Sequence, residues 1–148
     1  MRRLEVLSLA VLATASLALV AGCGEGGAAA GATVSVYAAA PLCNEAARSD
    51  GRAGDLVVHV VCLAPVEAGG RADLASVGAG ARRATEDSTA VAYLEAPGPA
   101  APFSQSIVEA ANIAWVKTGS GAAAMRRIRT ALEGDGSSPR QAVLDEVG

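Results

Sequence analysis

Asp55–Leu63 reads DLVVHVVCL, and the kind of sheet follows from it. It is nearly all apolar and rich in β-branched valine. That pattern suits a strand buried on both faces of a parallel sheet rather than the alternating pattern of a sheet with one wet face. His59 in its middle reads as a satisfied core or edge residue, and the sequence places no acidic partner or nucleophile beside it.

Outward from this strand the pattern alternates. Upstream, Ala32–Ala38 (ATVSVYA) is a second strand, and Pro41–Asp50 is a short helix ended by Gly51 and followed by Gly54. Downstream, Arg71–Asp87 has Leu74, Val77, Ala81 and Ala84 at helical spacing, with Gly78 and Gly80 weakening the helix or permitting close packing. Ser88–Leu94 (STAVAYL) is a third strand, Pro102–Ala111 a helix, and Ile113–Val116 a fourth strand. Ala122–Glu133 is a helix with Met125, Ile128 and Leu132 on one face and Arg126, Arg127 and Arg129 as a solvated flank. Residues 134–138 break it, and 139–147 form a final short helix or tail. Four strand–helix alternations predict an α/β fold: one open parallel sheet of about four strands, helices on both faces, right-handed crossovers. Ligands of such sheets bind beyond the C-terminal strand ends, here Ala39–Pro41, Glu95–Pro102 and Thr118–Gly121.

The start of the chain is of another kind. Met1-Arg2-Arg3 is basic and Val6–Leu19 is apolar, too short for the roughly 20 residues of a membrane span. Val20-Ala21-Gly22-Cys23 then resembles a bacterial lipobox. The resemblance implies cleavage before Cys23 and a diacylglyceryl group on its thiol, with general secretion favoured over twin-arginine export by Glu5. An ordinary secretory signal or an uncleaved anchor is the other reading. Residues 1–22 are thus expected as a signal peptide and 23–31 as a lipid-anchored tether reaching roughly 14–17 Å. Residues 32–133 are expected as the α/β lobe and 134–148 as a C-terminal tail or short helix. The expected location is the extracytoplasmic face of the cell membrane.

Composition bounds what this lobe does. Of the 148 residues 51% count as hydrophobic, but 35 are alanine; residues 23–148 hold 28 large apolar side chains, enough for one domain with a thin core. A net charge of −3 with a single lysine, Lys117, excludes the basic face of a nucleic-acid binder. With Cys23 assigned to lipid, Cys43 and Cys62 remain as a pair, and an exported setting makes a disulfide the default.

Three segments carry a resemblance. Ala84–Leu94, Ser106–Val116 and Thr118–Gly121 are similar to the N-terminal lobe of type I periplasmic binding proteins, the Leu/Ile/Val-type solute-binding components of ABC importers. There a helix ending in Asp leads to a strand, a Gly/Ser-rich loop, a second helix and a strand running into a Ser/Thr-rich turn. The resemblance implies half of that two-lobed fold, with Gly98 standing where the family has a ligand-binding serine, and Thr118 and Ser120 as a weak second ligand-facing turn. It implies a small polar ligand such as an amino acid, held at millimolar strength at best by one exposed lobe. The expected partners are the membrane, through Cys23, and an ABC permease or a second copy of the chain.

No catalytic set is legible: Glu86-Asp87 reads as a solvated carboxylate pair, and Gly119-Ser120-Gly121 as a helix cap or anion site. No metal or cofactor is expected. A binding or interaction module is the leading expectation; a transport component without ligand binding, and an enzyme on a flavodoxin-like sheet, stay open beside it.

Overall fold

The apolar runs do become strands, but their order in space differs from their order in the chain. The computed structural model describes residues 29–65, 67–68, 71–134 and 138–147. Its elements are β1 (Thr33–Ala38), α1 (Ala40–Ala47), β2 (Gly51–Ala53), β3 (Leu56–Cys62), β4 (Glu67–Ala68), β5 (Arg71–Ala72), α2 (Leu74–Glu86), β6 (Ala90–Glu95), α3 (Ala101–Glu109), β7 (Ala114–Lys117), α4 (Gly121–Leu132) and α5 (Pro139–Val147). The main sheet runs β2-β3-β1-β6-β7, and β4 with β5 forms a separate two-stranded ribbon. The signal segment, Cys23 and residues 23–28 of the tether lie outside the described residues. The end of the tether is tied down, since Gly31 donates its N–H to the Asp55 carbonyl at 2.7 Å.

The sheet corrects the expectation of about four parallel strands: it has five strands and is mixed. β3, β1, β6 and β7 are parallel, but β2 runs antiparallel to β3, with Ala53 opposite Leu56. The turn between them is Gly54-Asp55, and Gly54 has φ +56°, the left-handed backbone that a two-residue hairpin loop needs.

A second correction concerns β3. Leu56, Val58 and Val60 are buried, whereas Val57 and Val61 are half-buried and His59 is exposed. The cause is the uneven helix cover. On one side α1 packs on β3, with α4 and α5 beside it; on the other, α2 and α3 pack on each other and over β6 and β7, leaving the outer end of the sheet open. His59 also has an acidic neighbour after all. Its Nδ1 lies 3.5 Å from Asp50 Oδ2, and Asp50 Oδ1 accepts the Val60 N–H at 2.6 Å, continuing the sheet edge where β2 stops.

Two cores follow from the two layers. Val36, Val58, Leu94, Met125, Ile128 and Val143 fill the α1–α4–α5 side; Tyr37, Tyr93, Val108 and Ile113 fill the α2–α3 side. Alanine does much of the work by letting backbones approach: Ala38, Ala46, Ala92 and Ala114 are fully buried. The closest approach is at Gly121, where an added Cβ would lie 2.4 Å from the Leu42 carbonyl oxygen. A disulfide joins Cys43 of α1 to Cys62 at the end of β3 across a Cα–Cα distance of 5.4 Å.

Polar side chains fasten the layers where the sequence reading left them in solvent. Arg129 donates to the Ser49 carbonyl at 2.9 Å and to the Arg52 carbonyl, pinning α4 to β2 and to the turn before it. Arg140 donates to the Ala90 carbonyl at 3.0 Å, so α5 is docked on β6 and β7 with Val143 buried beneath it. Glu86 is exposed, but Asp87 accepts from the Tyr37 hydroxyl at 3.0 Å and from the Thr89 N–H at 2.8 Å. Partial burial works against the Asp87 charge; the bonds from Thr89 and Tyr37 outweigh it and hold the carboxyl below its ordinary range.

Candidate functional site

In a doubly wound sheet the crevice opens where the strand order reverses. Here that point lies between β1 and β6, because the chain leaves β1 through α1 toward β3 on one side and leaves β6 through α3 toward β7 on the other. Two clefts meet at this point and share Ala39, Ala40 and Glu95. The smaller, of about 220 Å³, runs under α2 past Leu63, Val77, Gly80 and Tyr93. The larger, of about 310 Å³, runs between Pro41, Pro65 and the loop that carries Gly98.

Glu95 is the polar centre of the pair. It ends β6 and is buried, 9% exposed. Its Oε2 accepts from the Ser104 hydroxyl at 2.8 Å, and Ser104 Oγ in turn accepts from Trp115 Nε1 at 3.2 Å. Burial raises the Glu95 carboxyl above the ordinary glutamate range, against the lowering effect of bonds from Ser104 and the Ala96 N–H. An acid raised in this way binds more protons folded than unfolded, so it removes stability as pH climbs from its ordinary range through its raised one. The Glu95→Gln variant will therefore gain melting temperature relative to wild type between pH 4 and pH 8; a constant difference across that range would contradict the buried charge.

Tyr93, two residues earlier on the same face of β6, is 2% exposed and lines the smaller cleft. Burial pushes its phenol upward, with the Glu95 charge adding to the effect. Its hydroxyl has no hydrogen-bond partner among the described residues.

The helix N-termini at this end are occupied internally. Asp73 caps α2 by accepting from the Ala75 N–H at 3.0 Å. Ser120 caps α4 by accepting from the Ala123 N–H at 3.3 Å, as its position before the helix predicts. The Glu45 carboxylate of α1 accepts from the Ser120 hydroxyl at 2.9 Å and from the Ala122 N–H at 3.3 Å, which keeps Glu45 below its ordinary range. α1 and α3 carry Pro41 and Pro102 in their first turns, and their next amides return to the Ala39 and Ala100 carbonyls.

Of the residues singled out in the sequence, Gly98 lines the larger cleft. Thr118 and Ser120 line neither of the two. The Thr118 hydroxyl accepts the Ser120 N–H at 3.1 Å, and the Ser120 hydroxyl is spent on Glu45 and Ala123. Sequence reasoning missed Glu95, Tyr93 and Ser104. Glu95 stood at a predicted strand end, but its burial depends on α3 folding Ser104 back over it. Among the described residues no three His, Cys, Asp or Glu side chains gather as a metal site, and no helix is long and apolar enough to cross a membrane. No protein-family model matches the sequence, and comparison with curated proteins and with solved structures finds no match to it.

Proposed function

We propose that this chain is a lipid-anchored, extracytoplasmic binding module, built like one lobe of a type I solute-binding protein, that holds a small polar ligand over the crevice between β1 and β6. The carrying observation is that both clefts fall at the point where the β1 and β6 connections diverge, with a buried carboxyl between them. That is where α/β sheets of this kind take ligands. Among the described residues the one hydroxyl bonded to Glu95 is that of Ser104, which is itself buried, and this supports reading Glu95 as a binding group.

Gly98 offers the test of the binding part. A Cβ there meets only the Ala96 carbonyl, at 4.0 Å, so Gly98→Phe plugs the larger cleft without disturbing the core. Its melting temperature will stay within about 2 °C of wild type, as surface changes usually move stability by less than ±0.5 kcal/mol. In a thermal-shift screen of polar metabolites that includes branched-chain amino acids, a true ligand will stabilise wild type and not Gly98→Phe. Equal stabilisation of both proteins would place the site elsewhere.

Anchoring rests on the pattern of residues 1–23, and Cys23→Ala tests it. The variant will leave the membrane fraction or keep its signal segment, at a mass that shows the missing lipid. Unchanged mass and membrane retention would refute the lipid anchor.

A further inference from the structure

We propose that the crevice takes a small organic ammonium, its cation set against the Glu95 carboxylate and the Tyr93 hydroxyl and its apolar body lying along the alanine- and proline-lined trough toward Gly98. The proposal rests on the binding-module reading and names the ligand class for that site.

The ligand class follows from which groups at the crevice remain available. An anion would need free backbone N–H groups or cationic side chains at the strand ends. The amides of α2 and α4 are taken by Asp73, Ser120 and Glu45. In α1 and α3, Pro41 and Pro102 have no N–H, Leu42 and Cys43 donate to the Ala39 carbonyl, Ala101 donates to Gly98, and Phe103 and Ser104 donate to Ala100. Among the described residues this leaves the Ala40 N–H as a lone amide at this end. Around the crevice itself the buried side chains that carry oxygen are Glu95 and Tyr93, both on one face of β6, and the Tyr93 hydroxyl has no hydrogen-bond partner among the described residues; Ser76 and the exposed Arg83 line the smaller cleft from α2. A carboxylate and a phenol oxygen accept; an ammonium supplies three donors and the opposite charge. Walls of alanine, leucine and proline then suit an aliphatic body rather than a second charge.

The surrounding charges fit this assignment. Arg83 of α2 lines the smaller cleft as an exposed side chain and also faces Tyr37, whose hydroxyl bonds Asp87. Lys117 is the register neighbour of Glu95 on β7 and is exposed, making no ion pair with it. Ser104 and Trp115 complete the contacts of the carboxyl on the α3 side. Among the described residues Glu95 makes no ion pair, and a bound ammonium would supply its counter-charge.

Trp115, the single tryptophan, reads the site because its Nε1 bonds the same serine hydroxyl that bonds Glu95. The full chain in nonionic detergent is titrated with n-butylamine at pH 8, with 1-butanol and butyrate as neutral and anionic matches, and Trp115 emission is followed. The expected result is a saturable change with the amine alone, at least tenfold weaker in Glu95→Gln and several-fold weaker in Tyr93→Phe. Binding will weaken as pH falls to 5, because protonating Glu95 removes the counter-charge. Equal saturation by butyrate or butanol, an undiminished amine response in both variants, or no saturable response to the amine overturns the assignment. Should Glu95→Gln fail to fold, Tyr93→Phe and the three-probe comparison decide alone. The Gly98→Phe screen separates the two ideas: a neutral or anionic ligand blocked by that plug would uphold the binding module and defeat the ammonium.

Discussion

Gly121→Ala will lower the melting temperature by about 10 °C or more, the largest effect expected of any single methyl group in this protein. The added Cβ meets the Leu42 carbonyl at 2.4 Å, the Ala46 N–H at 3.0 Å and the Ala46 Cβ at 3.3 Å. Two of these are backbone atoms of α1, so no rotamer change relieves the contact. α1 cannot swing aside freely either, since the disulfide ties Cys43 to β3. Overpacking typically costs about 1–3 kcal/mol, and a backbone collision belongs at the upper end. For a domain of this size each kcal/mol shifts the melting temperature by roughly 4–8 °C. Thermal unfolding followed by circular dichroism checks it, and a shift under about 2 °C would show that α1 and α4 do not touch as described.

Removing the disulfide is expected to have a comparable effect by a different route. Cys43 and Cys62 are 19 residues apart, and closing a loop of that length removes about 3 kcal/mol of unfolded-state entropy. Small domains have only about 5–15 kcal/mol in total. The double variant Cys43→Ala/Cys62→Ala will accordingly melt about 10 °C or more below wild type, and reducing wild type will reproduce the drop. Peptide mapping without reductant must find the two half-cystines in one linked peptide pair. Free thiols at both positions, in protein from an oxidising compartment, would contradict the bond.

Much of this architecture was legible in the sequence because it is set locally. The strands at Thr33–Ala38, Leu56–Cys62, Ala90–Glu95 and Ala114–Lys117 sit within two residues of their apolar runs, and Ser120 caps α4 where the Gly-Ser-Gly stretch put it. The cysteine pair followed from counting. β2 escaped because three residues, Gly51-Arg52-Ala53, carry no apolar pattern; the Gly54-Asp55 dipeptide was a two-residue hairpin signal that could have found it. The exposure of His59 escaped because it depends on where α2 and α3 settle, not on β3 itself. The site divides the same way. Strand-end position marked Ala39–Pro41 and the Glu95–Pro102 segment, whose residues line the larger cleft, and the family resemblance marked Gly98 in that loop; Thr118 and Ser120 looked available only because Glu45, 75 residues away from Ser120, is invisible to local reading. Glu95 became prominent through the same kind of long-range burial.

The place of β1 in the sheet also orders the events of folding. It is the first strand made yet the central one, bounded by β3 from Thr33 opposite Val57 and by β6 from Ser35 opposite Ala90. As the chain emerges amino end first on the oxidising side, the β1–α1–β3 unit holds all it needs to bring Cys43 to Cys62 before residues 90–95 follow. Oxidation can therefore lock the early half before the late half arrives. During that interval β1 presents a bare hydrogen-bonding edge flanked by Val34 and Val36, a surface on which another unfinished strand could add. In the finished sheet β6 covers that edge, pairing with β1 from Ser35 to Ala38, so the exposed edge exists only before β6 docks.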